Sequence, residues 1–149
     1  MKRAFVLLLA ASLGACLNVD QPDTPTDPAT ETFDPSLGVN ISTMTMTPSG
    51  AYFSELVIGT GATLVGQPAV TYTYIGFVKD GSTFGSGVQI PVVLEILVQG
   101  LQEGMQGMKV GGQRLIVVPS ALGYGPNIAG PIPPNSTLIF RVELDAIVQ

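Results

Sequence analysis

The chain has no histidine and a single cysteine, Cys16. Without an imidazole there is no His-based general acid–base catalysis, none of the usual Ser or Cys triads, and few routes to a zinc site. One cysteine permits neither an intramolecular disulfide nor a Cys-x-x-Cys redox pair. Chemistry therefore falls to apolar surface, tyrosine hydroxyls, backbone amides and a few carboxylates. The stretch from Val98 to Tyr124, VQGLQEGMQGMKVGGQRLIVVPSALGY, gathers these. It reads as a short apolar turn, a glycine-marked helix, a buried strand and the start of a Pro/Gly-rich loop. It is expected to form the floor and one wall of an apolar pocket.

Only 11% of the residues are charged and the formal net charge is -5, so the six Lys and Arg cannot build a basic face for nucleic acid. No metal or cofactor is expected. Lys2 and Arg3 precede an apolar run from Ala4 to Leu13 that is too short to span a bilayer and reads as a signal peptide over 1–15. Leu13-Gly14-Ala15-Cys16 resembles the lipobox of bacterial lipoproteins. That resemblance implies cleavage before Cys16, lipidation there, and a membrane anchor of several acyl chains. Leu17 after the cysteine points by the same analogy to the periplasmic face of the outer membrane. Loss of Lys2 and Arg3 would leave the mature chain two units more negative than the full one. Residues 16–43 carry Pro22, Pro25, Pro28 and Pro35 among Asp, Thr and Glu, and are expected to be a disordered spacer.

Those side chains need a frame, and the pattern of residues 44–149 supplies one. Ala51 to Ile58 and Gln113 to Val118 are strand candidates, and Val70 to Val78 is the clearest strand, β-branched and aromatic. Lys79-Asp80-Gly81-Ser82 is a hairpin turn. Pro91 in the run Ile90 to Leu97 marks an edge strand or a strand opening. Leu101, Met105 and Met108 share one face of a two-turn helix that Gly100, Gly104 and Gly107 weaken, so packing must hold it. Thr137 to Val148 is a long final strand. Between Pro119 and Ser136 lie five prolines and three glycines in eighteen residues, and a loop of that length is usually functional. Leu122, Tyr124, Ile128 and Ile132 argue against its being disordered. The sum is an α+β domain, an antiparallel sheet packed on one short helix. Arg114 and Glu143 are expected at the rim, in ion pairs of little worth.

In order along the chain stand Thr47-Pro48-Ser49-Gly50, Gly59-Thr60-Gly61, Asp80-Gly81-Ser82-Thr83-Phe84, Gly104-Met105-Gln106-Gly107-Met108, Gly111-Gly112-Gln113-Arg114, Gly123-Tyr124-Gly125 and Ile132-Pro133-Pro134-Asn135. With the closing run Thr137 to Leu144, their joint order resembles FKBP-type peptidyl-prolyl isomerases, although no single motif is decisive. The resemblance implies an antiparallel sheet of five or six strands wrapped around a short helix. It also implies a pocket of Tyr74, Phe84, Leu97, Val98, Leu101, Tyr124, Ile132 and Phe140. In it Phe84 and Phe140 would wall the proline ring, Leu101 would be the floor, and the Tyr124 hydroxyl and Val98 amide would donate to substrate. By position on strands alone, Tyr74 and Phe140 are core residues first.

Two positions depart from the family pattern. Gly85 follows Phe84 where the family usually has Asp, and Leu101 stands where it usually has tryptophan. The segment from Phe84 to Gly100 is shorter than is typical, and the loop after Tyr124 is about one residue short. What the resemblance implies is an envelope-anchored, monomeric isomerase of weak or moderate activity, acting on proline-containing unfolded or flexible polypeptides. A partner-binding or chaperone module without turnover, or a scaffold in an envelope assembly, remain as the alternatives.

Overall fold

A computed structural model describes residues 24–148. The signal peptide and Cys16 lie outside the described residues. Six strands form one antiparallel sheet: β1 (Thr45–Met46), β2 (Tyr52–Val57), β3 (Ala69–Val78), β4 (Thr83–Val93), β5 (Gln113–Val118) and β6 (Leu138–Val148), in the order β1-β2-β5-β6-β3-β4. Helix α1 (Gln99–Met105) lies against β5. The expected α+β architecture of a sheet with one short helix is the one found.

The hairpin turn closes as its sequence dictates. The Gly81 amide donates to the Val78 carbonyl at 3.0 Å, and Gly81 takes φ 88°, a conformation that an L side chain rarely adopts. Strand β4 continues past Pro91 to Val93 on the sheet edge, and Pro91 falls where the register with β3 shifts between Gln89 and Val92, a position that tolerates the missing N–H. A 3-10 turn over Leu94–Ile96 leads into α1. Gln102 holds this connection, its Nε2 donating to the Leu97 carbonyl at 2.7 Å and the Glu95 carbonyl at 3.0 Å.

The helix glycines serve close approach. A Cβ on Gly100 would overlap Val118, and one on Gly104 would overlap Ile116, so α1 sits nearer to β5 than any larger residue would allow. Arg114 holds the other end of α1. Its Nη1 donates to the carbonyls of Gly104 and Gln106, both at 2.7 Å, satisfying orphan acceptors at the helix C-terminus. Its Nε bonds Glu55 at 2.9 Å, and the guanidinium lies 4.2 Å from the Phe53 ring centroid. Arg114 is therefore not a rim residue but 4% exposed, a buried cation with its donors engaged. Glu143, half-buried, accepts from Gln113 Nε2 at 2.9 Å.

The sheet has two apolar faces. One, with Val70, Tyr72, Ile116, Val118, Phe140, Val142 and Leu144, packs on Leu101, Met105 and Met108 of the helix region. The other carries Leu115, Val117 and Ile139, and what covers it corrects the expected spacer. Residues 24–43 are anchored at a few points: Leu37 is 3% exposed against those three side chains, flanked by Phe33, Val39 and Ile41. The prolines that argued for disorder instead start 3-10 turns at Pro28 and Pro35, where the absent N–H costs nothing. Asp27 and Asp34 cap these turns, accepting from the Ala29 and Ser36 amides at 3.0 and 2.9 Å. This strap is tied at several points. The Thr26 amide donates to Ser120 Oγ at 2.9 Å, and the Ser120 amide returns a bond to Thr26 Oγ1 at 3.1 Å. Thr137 Oγ1 bonds both Thr26 and Glu31. Glu31 pairs with Lys79 at 3.0 Å. Ser120 and Thr137 are themselves buried, so these bonds satisfy hydroxyls that would otherwise be costly.

Candidate functional site

Strand alternation puts Val70, Tyr72, Tyr74 and Gly76 on the helix face of β3. Register then sets Gly76 beside Phe140 of β6 on one side and Gly85 of β4 on the other. The Phe84 ring lies where a Cβ on Gly76 would be, so Gly76 is what lets that ring fold over the sheet. Phe84 meets Phe140 edge to face, with centroids 5.4 Å apart and planes at 82°. Tyr74 meets Phe140 at 6.5 Å and Tyr72 at 5.8 Å, both tilted. Such pairs prefer these offset geometries and hold one another's rotamers.

Leu97 and Val98 arrive from the turn before α1, half-buried against the same cluster, and Leu101 from the first turn of α1 is 3% exposed at its base. Ile132, 5% exposed, comes from the loop that links β5 to β6. The structure thus brings Tyr74, Phe84, Leu97, Val98, Leu101, Ile132 and Phe140 into one cluster. Tyr124 stands apart from it at the mouth, 42% exposed. The Val98 carbonyl accepts from the Leu101 and Gln102 amides at 3.0 and 3.1 Å, while its own N–H makes no backbone bond among the described residues.

The long loop is built rather than loose. A 3-10 turn over Ser120–Leu122 is followed by Gly125 donating to the Ser120 carbonyl at 2.9 Å and Asn135 donating to the Gly125 carbonyl at 2.7 Å. Ala129 and Ile132 exchange bonds at 3.3 and 3.1 Å. Asn127 fixes the Tyr124 carbonyl through both its amide and its side chain. Tyr124 is therefore presented on a braced segment whose first turn is tied to the strap through Ser120 and Thr26.

Gly85 leaves a gap. A Cβ there would lie 3.4 Å from Tyr74 Oη, so a carboxylate at this position could have accepted that hydroxyl. No His, Cys, Asp or Glu cluster able to hold a metal occurs among the described residues. Two residues of the site escaped the sequence reading. Gly76 has no signal beyond being a glycine inside a strand. Tyr72 had one, since it alternates with Tyr74 at a spacing of two and so shares its face.

A six-stranded sheet packed on one short helix carries an aromatic box between helix, strand and Pro-rich loop, which makes this a small α+β domain with an apolar site. A family model described as "FKBP-type peptidyl-prolyl cis-trans isomerase" matches residues 61–145, and the chain belongs to that family. It is 39% identical over 113 residues to the FK506-binding protein 4 of Dictyostelium discoideum, covering 72% of this chain and 31% of that one. It is 35% identical over 105 residues to the outer membrane protein MIP of Legionella longbeachae, covering 67% and 45% respectively. The chain thus spans less than half the length of these two relatives. The crystal structure of a peptidyl-prolyl cis-trans isomerase from Pseudomonas syringae superposes with a TM-score of 0.65 at 30% identity, covering 71% of this chain and 81% of that one.

Proposed function

We propose that this chain catalyses cis–trans isomerisation of X–Pro bonds in exported polypeptides at the cell envelope. The observation that carries the reading is the box of Tyr74, Phe84 and Phe140 over Leu101, with free donors at its edge. The reaction needs no nucleophile. Its barrier is the partial double bond of the amide, about 18–20 kcal/mol. The box takes the proline ring by apolar contact. The Tyr124 hydroxyl and the Val98 amide donate to carbonyl oxygens, and bonds that strengthen as the amide twists lower the barrier. The test is a protease-coupled assay on an X–Pro peptide with the full chain. Turnover above the uncatalysed background at micromolar protein is expected, and none would overturn the reading.

Location rests on Cys16 and on the name of the Legionella relative, an outer membrane protein. Lipidation of Cys16 and residence on the periplasmic face follow as part of the proposal. Cys16→Ser is expected to move the protein from the membrane fraction to the soluble one, and an unchanged distribution would remove the anchor. A second reading, a binding module with little turnover, is favoured by the missing carboxylate at Gly85 and by exposed Val88, Ile90, Val93 and Ile96 beside the box.

A further inference from the structure

The sheet ends in two edges, and they are finished differently. At one, β1 has only two residues, too short to template another strand. At the other, β4 runs for 11 residues, and among the described residues it pairs with β3 alone. Edges of that length are commonly guarded by charged side chains, and the run TFGSGVQIPVV has none. Pro91 is its one interruption, at the bulge where Ile90 and Pro91 face Thr71. From Thr83 to Ile90 the outward N–H and C=O groups stand unguarded. The side chains are those of a strand with a neighbour missing. Val88 is 62% and Ile90 79% exposed. Val88 stands beside Thr73, on the face away from Tyr72 and Tyr74. On the box side β4 places Gly85 and Gly87 beside Gly76 and Tyr74, so no side chain of β4 screens the edge there. The edge is also continuous with the box. Phe84, one of its walls, lies at the start of β4, and the turn that follows β4 delivers Leu97 and Val98.

We infer that the free edge of β4 is a docking site for the client polypeptide itself, whose residues flanking the proline add as a further strand along Thr83 to Ile90. Main-chain hydrogen bonds hold it, and its alternate side chains cover Val88 and Ile90. The occupant is an extended, apolar, uncharged segment, because β4 offers no charge to pair with. The inference rests on the isomerase reading, which makes the occupant of the adjoining box a polypeptide. Steady-state kinetics of the full chain on an X–Pro tetrapeptide and on a longer peptide, the same core flanked by alternating Val and Thr, test it. kcat/KM is expected to be roughly tenfold higher on the longer peptide, the gain of a few main-chain bonds, and equal values overturn the inference. The double variant Val88→Lys, Ile90→Lys is expected to lose that gain while its turnover of the tetrapeptide stays within twofold. A gain that survives in the folded variant overturns the inference. Amide hydrogen exchange of the wild type needs neither a variant nor turnover. Slowed exchange along β4 when the longer peptide is added supports the inference, and unchanged exchange there at saturating peptide overturns it. If exchange in β4 slows with protein concentration alone and the sedimenting mass doubles, the edge belongs to a second copy of the chain and the inference falls. An inactive wild type overturns the isomerase reading instead, and the β4 exchange on binding then decides this one by itself.

Discussion

The two faces of the sheet share strands and differ in how they are finished. On the helix face, α1 packs over Ile116 and Val118, while Tyr74 and Phe84 stay half-buried and Tyr124 is exposed. On the strap face, a run of 3-10 turns seals Leu115, Val117 and Ile139 with Leu37 and Phe33. Burial in both places releases free energy of the same kind, roughly 25 cal/mol per Å². What separates a binding face from a structural one here is unfinished cover. The difference also assigns separate tasks to neighbouring residues of one strand: Ile116 supports α1, and Val117 supports the strap.

That division can be broken from either side. The largest effect is expected from Leu37→Ala, which opens a cavity under the strap and should cost about 2–4 kcal/mol in urea unfolding. Its kcat/KM well below the melting temperature should stay within twofold. A large loss of turnover in the folded variant would show that the faces are not independent. Tyr124→Phe is expected to do the reverse, lowering kcat/KM about three- to tenfold by loss of one hydrogen bond while leaving the urea midpoint in place. Unchanged turnover would take Tyr124 out of the mechanism. The smallest effect concerns pH. Tyr72 has its folded pKa raised from 10.0 to about 12, so the fold favours the neutral phenol. Its contribution to stability is complete below the unfolded value and is lost as pH rises from about 10 towards 12. The urea midpoint of wild type should therefore fall over that interval, and less so in Tyr72→Phe. Between about pH 5 and 9 turnover should be flat, because no histidine exists and the box carries no carboxylate.

Much of the helix face was legible. Alternation in Val70 to Val78 and the three- and four-residue spacing of Leu101, Met105 and Met108 report which side chains share a side, and the sheet and helix follow. The Gly85 departure was legible too, as one residue in a known order, and the structure adds what it leaves beside Tyr74. The strap was missed because composition averages over position. Four prolines in 16–43 outweigh Phe33 and Leu37 in any count, yet two apolar side chains at the right places are enough to hold a short segment on a prepared surface. A sign of that surface was present in β5, where Leu115 to Val118 are all buried. An unbroken apolar run in a strand means that both of its faces are covered. Arg114 was misjudged for a related reason: pattern shows a charge, and only the fold shows the two helix carbonyls waiting for it.

The strap also changes the reach of the domain. Had all of 16–43 been a free leash, a lipid at Cys16 would have let the pocket wander about 100 Å from the bilayer. Thr26 is instead fastened to Ser120 and Thr137, at the root of the loop that carries Tyr124. The span from Cys16 to Thr26, even drawn out straight, covers only about 35 Å. Under the proposed anchoring, the mouth of the site is moored close to the membrane surface, and its clients are those chains that pass within that narrow layer.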